Sequence, residues 1–167
     1  MNKMQHIEIK TLDIEAFGRY GSFANLLKPL SPLYEKGEPQ FYSDLLNIDL
    51  GGSTGASISV GLEKHRDKNI IEFAEFHRFT SEGILPLDGD VILYLAPATG
   101  KEQPPFSCFE AFYIPRGTFV LLNQGVWHGC QFPVTEEYVR NLIVLPRCTY
   151  MNDTYVYSFR EDEKISI

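Results

Sequence analysis

The sequence predicts an all-β domain built as a sandwich or barrel, and three observations lead there. Short apolar runs alternate with turn residues about every ten positions, a spacing typical of sandwiches and barrels. Phe and Tyr are abundant, at 12 and 9, and such side chains favour strands and concave apolar sites. Helix signals are confined to one short stretch near the N-terminus. The 167 residues fit one domain spanning the whole chain, since single cores rarely divide below roughly 200 residues.

In chain order, the helix starts after Thr11, its expected cap. Asp13 and Glu15 occupy its first turn, where they oppose the macrodipole, and Gly21 ends it. Residues 31–40, SPLYEKGEPQ, are rich in turn formers and read as a loop. A strand follows where Ala56, Ile58, Val60 and Leu62 alternate with Ser57, Ser59 and Gly61. Asp88-Gly89 makes a tight turn ahead of a strand from Val91 to Leu95. The Pro115-Arg116-Gly117 turn separates Phe112 to Ile114 from Phe119 to Leu122. Asn123-Gln124-Gly125 breaks the chain again, and Tyr138 to Leu145 is a further strand bounded by Pro146.

Composition removes several function classes. With 15 Lys and Arg against 22 Asp and Glu, the formal charge is -7. An acidic chain without a basic stripe binds nucleic acid and anionic membranes poorly, so neither is an expected partner. The longest apolar run, near Val91 to Ala98, falls far short of the ~20 residues of a membrane helix. No apolar core follows the N-terminus, which argues against a signal peptide. Cys108, Cys130 and Cys148 are odd in number and widely spaced, which fits reduced thiols and a cytoplasmic setting. No Gly-rich phosphate loop, G-x-S-x-G or H-E-x-x-H motif is present.

The segment from Ile70 to Val91 carries the chemistry. On an extended chain, alternate residues share a face. The odd positions Ile71, Phe73, Glu75, His77 and Phe79 form the more apolar face and the expected core side. That face holds a carboxylate and an imidazole two residues apart, close enough to converge on one ion or ligand. Burying such a pair is costly without partners or a metal. Two plainer readings stand beside this one: Glu75 and His77 bond each other, or both face solvent.

Glu82 lies five residues beyond His77, Gly89 follows, and Gly125-Val126-Trp127-His128 places a second imidazole after a glycine turn. The pattern E-x-H-x4-E-x6-G with a later G-x-W-H resembles the two motifs of the cupin superfamily. That resemblance implies a jelly-roll barrel, a double-stranded β-helix with one or two short helices. It places His77, Glu82 and His128 on ligand positions, and Glu75 stands where a first His usually stands. Two imidazoles with one or two carboxylates suit a divalent metal such as Zn, Mn, Fe or Ni.

More narrowly, the chain resembles the ureidoglycolate lyase family through AFGRYG (Ala16 to Gly21), Ile58-Ser59-Val60, EFHRFTSEGILPLDGDV (Glu75 to Val91), AFYIPRG (Ala111 to Gly117) and GVWHGCQFPV (Gly125 to Val134). The resemblance implies a homodimer that splits ureidoglycolate into glyoxylate and urea in purine nitrogen recovery. On this reading Glu75, His77, Glu82 and His128 are catalytic, and the same four hold a metal where one is bound. His77 and His128 orient substrate or metal, and Glu75 or Glu82 accepts the hydroxyl proton. Lys64 and Arg66 are candidates for the substrate carboxylate, and Trp127 for a pocket wall. One departure stands out: members place a Tyr-His-Arg-like triplet before the Trp-His pair, where this chain has Leu122-Asn123-Gln124.

The remaining motifs have ordinary readings. Residues 63–68 are a charge run expected at a solvated turn, and residues 161–164 a solvated acidic end. Cys130 follows His128 by two residues and reads as a packing thiol. Two alternatives to the lyase remain: a metal-dependent cupin isomerase or dioxygenase acting on a small acid or sugar, and a non-catalytic small-molecule-binding cupin.

Overall fold

A computed structural model describes residues 4–30 and 40–167. Its early strands are β1 (Gln5–His6), β2 (Ile9–Thr11), β3 (Gly21–Asn25), β4 (Ala56–Lys64), β5 (Ile70–Ile71), β6 (Phe73–Phe76), β7 (Glu82–Pro86) and β8 (Val91–Ala96). The later ones are β9 (Glu110–Ile114), β10 (Thr118–Leu122), β11 (Trp127–His128), β12 (Phe132–Pro133), β13 (Tyr138–Pro146), β14 (Tyr155–Ser158) and β15 (Ile165–Ser166). Two helices of one turn each, α1 (Ile14–Phe17) and α2 (Thr149–Asn152), complete the set with two 3₁₀ turns. The expected loop over residues 31–40 lies outside the described residues but for Gln40.

Two sheets face each other. One has the order β3-β10-β7-β13-β4, the other β14-β6-β11-β8-β9-β2 with β12 also on β8, and a small third sheet joins β1, β15 and β5. Ile84, Val120, Leu122, Val139 and Ile143 of the first sheet pack against Val91, Leu93, Leu95, Phe112 and Ile114 of the second. Alternation along β8 sends Ile92, Tyr94 and Ala96 the other way, into a second cluster with Ala74, Phe76, Phe109, Trp127 and Phe159. The second sheet is therefore covered on both faces, and β8 reads as an unbroken apolar run. This is an all-β barrel of two facing sheets, as the sequence predicts.

Turn chemistry holds the register. Gly117 sits at φ +75°, a left-handed conformation that glycine adopts without strain, and Thr118 N–H closes that turn on Pro115 O at 3.0 Å. Gly125, at φ +77°, donates its N–H to His77 O at 2.7 Å and so ties the second motif to the first. The Asp88 carboxylate accepts from the Arg140 backbone N–H at 2.7 Å and from its guanidinium at 2.6 Å.

Four expectations change. The N-terminal helix is one turn, capped by Asp13 accepting from Ala16 N–H at 2.8 Å rather than by Thr11, and Gly21 begins β3 instead of ending the helix. Thr11 lies in β2, paired with Tyr113, and so cannot serve as the cap. Odd-face continuity fails at Glu72, where β5 ends and β6 begins, so Ile71 packs with Ala74 and Phe76, and Phe79 is 62% exposed. The acidic end is a 3₁₀ turn in which Glu163 is buried against Arg160 and accepts from the Tyr157 hydroxyl at 3.2 Å.

β4 inverts the usual pattern. Its polar set Ser57, Ser59, Gly61 and Glu63 is the more sheltered side, while Ile58, Val60 and Leu62 are 72%, 59% and 56% exposed. A wall of small and polar residues thus faces the space between the sheets.

Candidate active site

The polar floor of the barrel is assembled from three elements. β6 carries Glu75, and His77 follows directly at its end; β7 opens on Glu82; β11 closes on His128. His128 pairs with Glu75 across the β6–β11 ladder, which fixes the two motifs side by side. Strand alternation points His128 inward and its neighbour Trp127 to the opposite face.

Glu82 Oε2 meets His77 Nε2 at 2.9 Å and His128 Nε2 at 2.7 Å. All three residues are buried. His77 Nδ1–H donates to Asp153 O at 2.7 Å, and His128 Nδ1–H donates to Val126 O at 2.9 Å. Each imidazole has therefore committed its Nδ1 proton to the backbone, and both Nε2 atoms converge on one carboxylate oxygen. A carboxylate cannot accept from bare lone pairs, so a proton, or a cation in its place, belongs on this side. Burial alone would raise the Glu82 carboxyl, but the His128 charge and the hydrogen bonds from both rings outweigh it and lower it to about 2. Burial would lower His128, yet the Glu82 charge and hydrogen bond raise it to about 9.

One donor atom from each of His77, Glu82 and His128 lies within 4.8 Å of the others. Nitrogen and oxygen donors so gathered, with both rings oriented by backbone carbonyls, fit a divalent metal. Glu75 stands outside this group of three but lines, together with Glu82 and His128, a cavity of about 340 Å³; His77 sits behind Glu82 and is not among the lining residues. The cavity walls include Ser59, Gly61, Glu63, Cys130, Gln131 and Tyr150 as well. No Lys or Arg is among the lining residues described.

Lys64, Arg66 and Trp127 do not line that cavity. Lys64 lies over the Tyr138 ring at 5.7 Å and Arg66 over Phe132 at 5.3 Å, both on the outer surface. Trp127 is 1% exposed and packs edge-on against Phe76 and Tyr155 in the second cluster. Sequence reading missed Glu63 and Tyr150. Glu63 was grouped with the charge run after it, although it continues the Ser57, Ser59, Gly61 alternation onto the sheltered face of β4. Tyr150 arrives on α2 by tertiary placement, and no local pattern announces it. Cys130 lines the cavity, and burial pushes its thiol up to about 12, so it stays protonated.

A barrel of two facing β-sheets with a buried His–Glu–His group beside a small cavity is the class of site the geometry defines. The profile of the ureidoglycolate lyase family matches residues 4–166, and the chain belongs to that family. A curated relative described as a ureidoglycolate lyase, from Rhodobacter capsulatus, is 29% identical over 132 residues, covering 78% of this chain and 81% of the relative. Among solved structures, a dTDP sugar isomerase from Desulfovibrio desulfuricans G20 matches with TM-score 0.40 and 14% identity, over 83% of this chain and 74% of that one. RmlC from Streptococcus suis, in complex with dTDP-D-xylose, gives TM-score 0.35 and 14% identity over 53% of this chain, which spans 42% of that protein.

Proposed function

We propose that the protein is a ureidoglycolate lyase, cleaving ureidoglycolate or a closely related ureido derivative of a small α-hydroxy acid to glyoxylate and urea. The observation that carries this reading is the buried His77–Glu82–His128 group beside Glu75, in a cavity sized for a small acid, within a chain of this family.

The reaction is collapse of a carbinolamide: a base takes the hydroxyl proton as the carbon–nitrogen bond breaks. Glu82 is committed to two imidazoles, which leaves Glu75 as the carboxylate free to take that proton. His128 orients the oxygen-bearing end of the substrate, His77 holds Glu82 in place behind it, and the substrate's negative charge is met on this side of the cavity, because no lining Lys or Arg is described. His77, Glu82 and His128 would hold a divalent ion, Zn, Mn, Fe or Ni. When bound, such an ion supplies Lewis acidity that lowers the hydroxyl pKa. Tyr150, 54% exposed, stands at the cavity rim, where its hydroxyl can meet the substrate.

The direct test is to incubate pure protein with ureidoglycolate and trap glyoxylate. Release that disappears in His77→Ala and His128→Ala, with the fold kept, supports the reading; no release above background at high enzyme concentration rejects it. One observation favours a second reading. Three carboxylates, Glu63, Glu75 and Glu82, with no lining Lys or Arg, make a cavity that invites a cation, as in a metal-dependent cupin isomerase or dioxygenase. Elemental analysis of protein purified without affinity metal, followed by assay of the loaded protein, separates the two. The working form is a homodimer in the cytoplasm, a reading supported by the outward apolar stripe of β4 and by three free cysteines.

A further inference from the structure

We propose that Gln131 selects a ureido substrate, its side-chain oxygen accepting from the terminal amino group, an assignment that rests on the lyase reading above. Phe132 belongs to the second apolar cluster, so its neighbour on the extended chain points the other way, into the cavity that Gln131 lines with Glu75, Glu82 and His128. Gln131 is 6% exposed, and one bond settles how its amide is turned. Only the amide nitrogen can donate to a carbonyl, and Nε2–H donates to Gly129 O at 3.1 Å. Oε1 is left as an acceptor, with no donor on it among the described residues. Nor is it sealed off, because the enclosed side-chain atoms without partners belong to Asn69 and Asn141. A buried amide with its nitrogen anchored and its oxygen open to a cavity is set to meet a ligand N–H.

The backbone beneath this amide is held firmly. Gly129 lies against Tyr94, whose hydroxyl donates to Phe73 O at 2.9 Å. A Cβ at position 129 would fall 1.8 Å from that hydroxyl oxygen, so only glycine fits where the anchoring carbonyl sits. The substrate offers N–H groups at two nitrogens. The one bonded to the reacting carbon gains a proton as it leaves, so an acceptor serves the amino group at the far end of the ureido unit. Glu82 is committed to two imidazoles. The Gln131 oxygen is a neutral acceptor whose strength suits a neutral amino group. A ligand with methyl in place of that amino group keeps the shape but leaves the oxygen without its donor. Stranding a buried acceptor in this way costs more than the bond itself gains, and discrimination comes chiefly from that penalty.

The test pairs ureidoacetate, which lacks the hydroxyl and so cannot be cleaved by this route, with N-acetylglycine, in which methyl replaces the terminal amino group. By calorimetry, wild type should bind ureidoacetate about 10- to 100-fold more tightly than N-acetylglycine. Gln131→Met, which keeps the length and loses the acceptor, should bind the two within about threefold of each other. Gln131→Asn, one carbon shorter, withdraws the same oxygen and should lose the preference too, which covers a Met variant that does not fold. General loosening of the site weakens both ligands alike, so the ratio carries the result. Wild type that binds both equally or neither overturns the assignment, and so does a variant that keeps the wild-type ratio. A preference lost in the variants, in a wild type that releases no glyoxylate from ureidoglycolate, rejects the lyase reading alone. Glyoxylate release with the ratio unchanged in the variants rejects the Gln131 assignment alone.

Discussion

His128 Nε2 lies 2.7 Å from Glu82 Oε2, inside a site where both side chains are almost completely shielded from water. Glu82→Gln keeps the volume and removes the charge, leaving a buried imidazolium uncompensated. Breaking one partner of such a buried pair costs roughly 3–5 kcal/mol. Metal-free Glu82→Gln should therefore unfold at markedly lower denaturant. With two rings no longer steered onto one oxygen, kcat should fall about 100-fold or more. Denaturant titration and steady-state kinetics check both, and a variant as stable and active as wild type would sink the account.

The same pair sets a pH window for the metal-free protein. His128 is raised from 6.5 to about 9, so its stabilising share is full below pH 6.5 and disappears as pH climbs through about 9. Glu82 is lowered from 4.5 to about 2, so its share is full above pH 4.5 and is lost as pH falls toward about 2. Thermal melts in chelator should show a plateau between about pH 4.5 and 6.5 and a Tm that falls from there as pH climbs toward about 9. His128→Gln should start lower and show no such alkaline decline.

Trp127 packs against Phe76 at a centroid distance of 4.6 Å, on the far side of the sheet from the cavity. Trp127→Ala should cost about 3–5 kcal/mol in stability, with KM unchanged in whatever protein remains folded. Lys64→Ala and Arg66→Ala should leave KM for ureidoglycolate nearly unaltered, because neither cation lines the cavity. A large rise in KM for either would mean that the surface loop closes over the substrate.

The sequence made much of this legible, for identifiable reasons. The strands at Val91–Ala96, Glu110–Ile114, Thr118–Leu122 and Tyr138–Pro146 were visible because glycine and proline turns bound short apolar runs. His77, Glu82 and His128 were visible because ligand spacing is a local property. Trp127 was misplaced because neighbours on a strand face opposite ways, so adjacency to His128 in sequence meant separation in space. Glu63 escaped because β4 turns its polar residues inward, a choice made by the cavity rather than by the strand's own hydrophobicity. The one-turn helix lost its expected cap because Thr11 is held in a parallel pairing with Tyr113.

That inversion of β4 leaves an edge strand with an apolar outer stripe. Ile58 and Val60 stand beside Val144 and Leu142, and Leu62 beside Arg140. Unpaired strand edges with exposed aliphatic side chains tend to acquire a partner. Sedimentation should find wild type as a dimer and Val60→Glu shifted toward monomer, with the near-ultraviolet spectrum of the fold retained. If Val60→Glu sediments like wild type, the interface lies elsewhere.

Asn141 offers the sharpest separation of stability from function. Its amide is 0% exposed and neither Nδ2 nor Oδ1 has a partner, a cost of roughly 1–3 kcal/mol to the folded state. Val139, Ile143 and Leu145, its neighbours on the inward face of β13, all belong to the apolar core. Leu fits that company, so Asn141→Leu should raise Tm. Asn141 is not among the residues described as lining the cavity, so the same change should leave kcat/KM for ureidoglycolate nearly unaltered. A variant that gains stability and keeps full kcat/KM would show the amide to be idle. One that loses stability would show that it is already satisfied by ordered water in the folded protein.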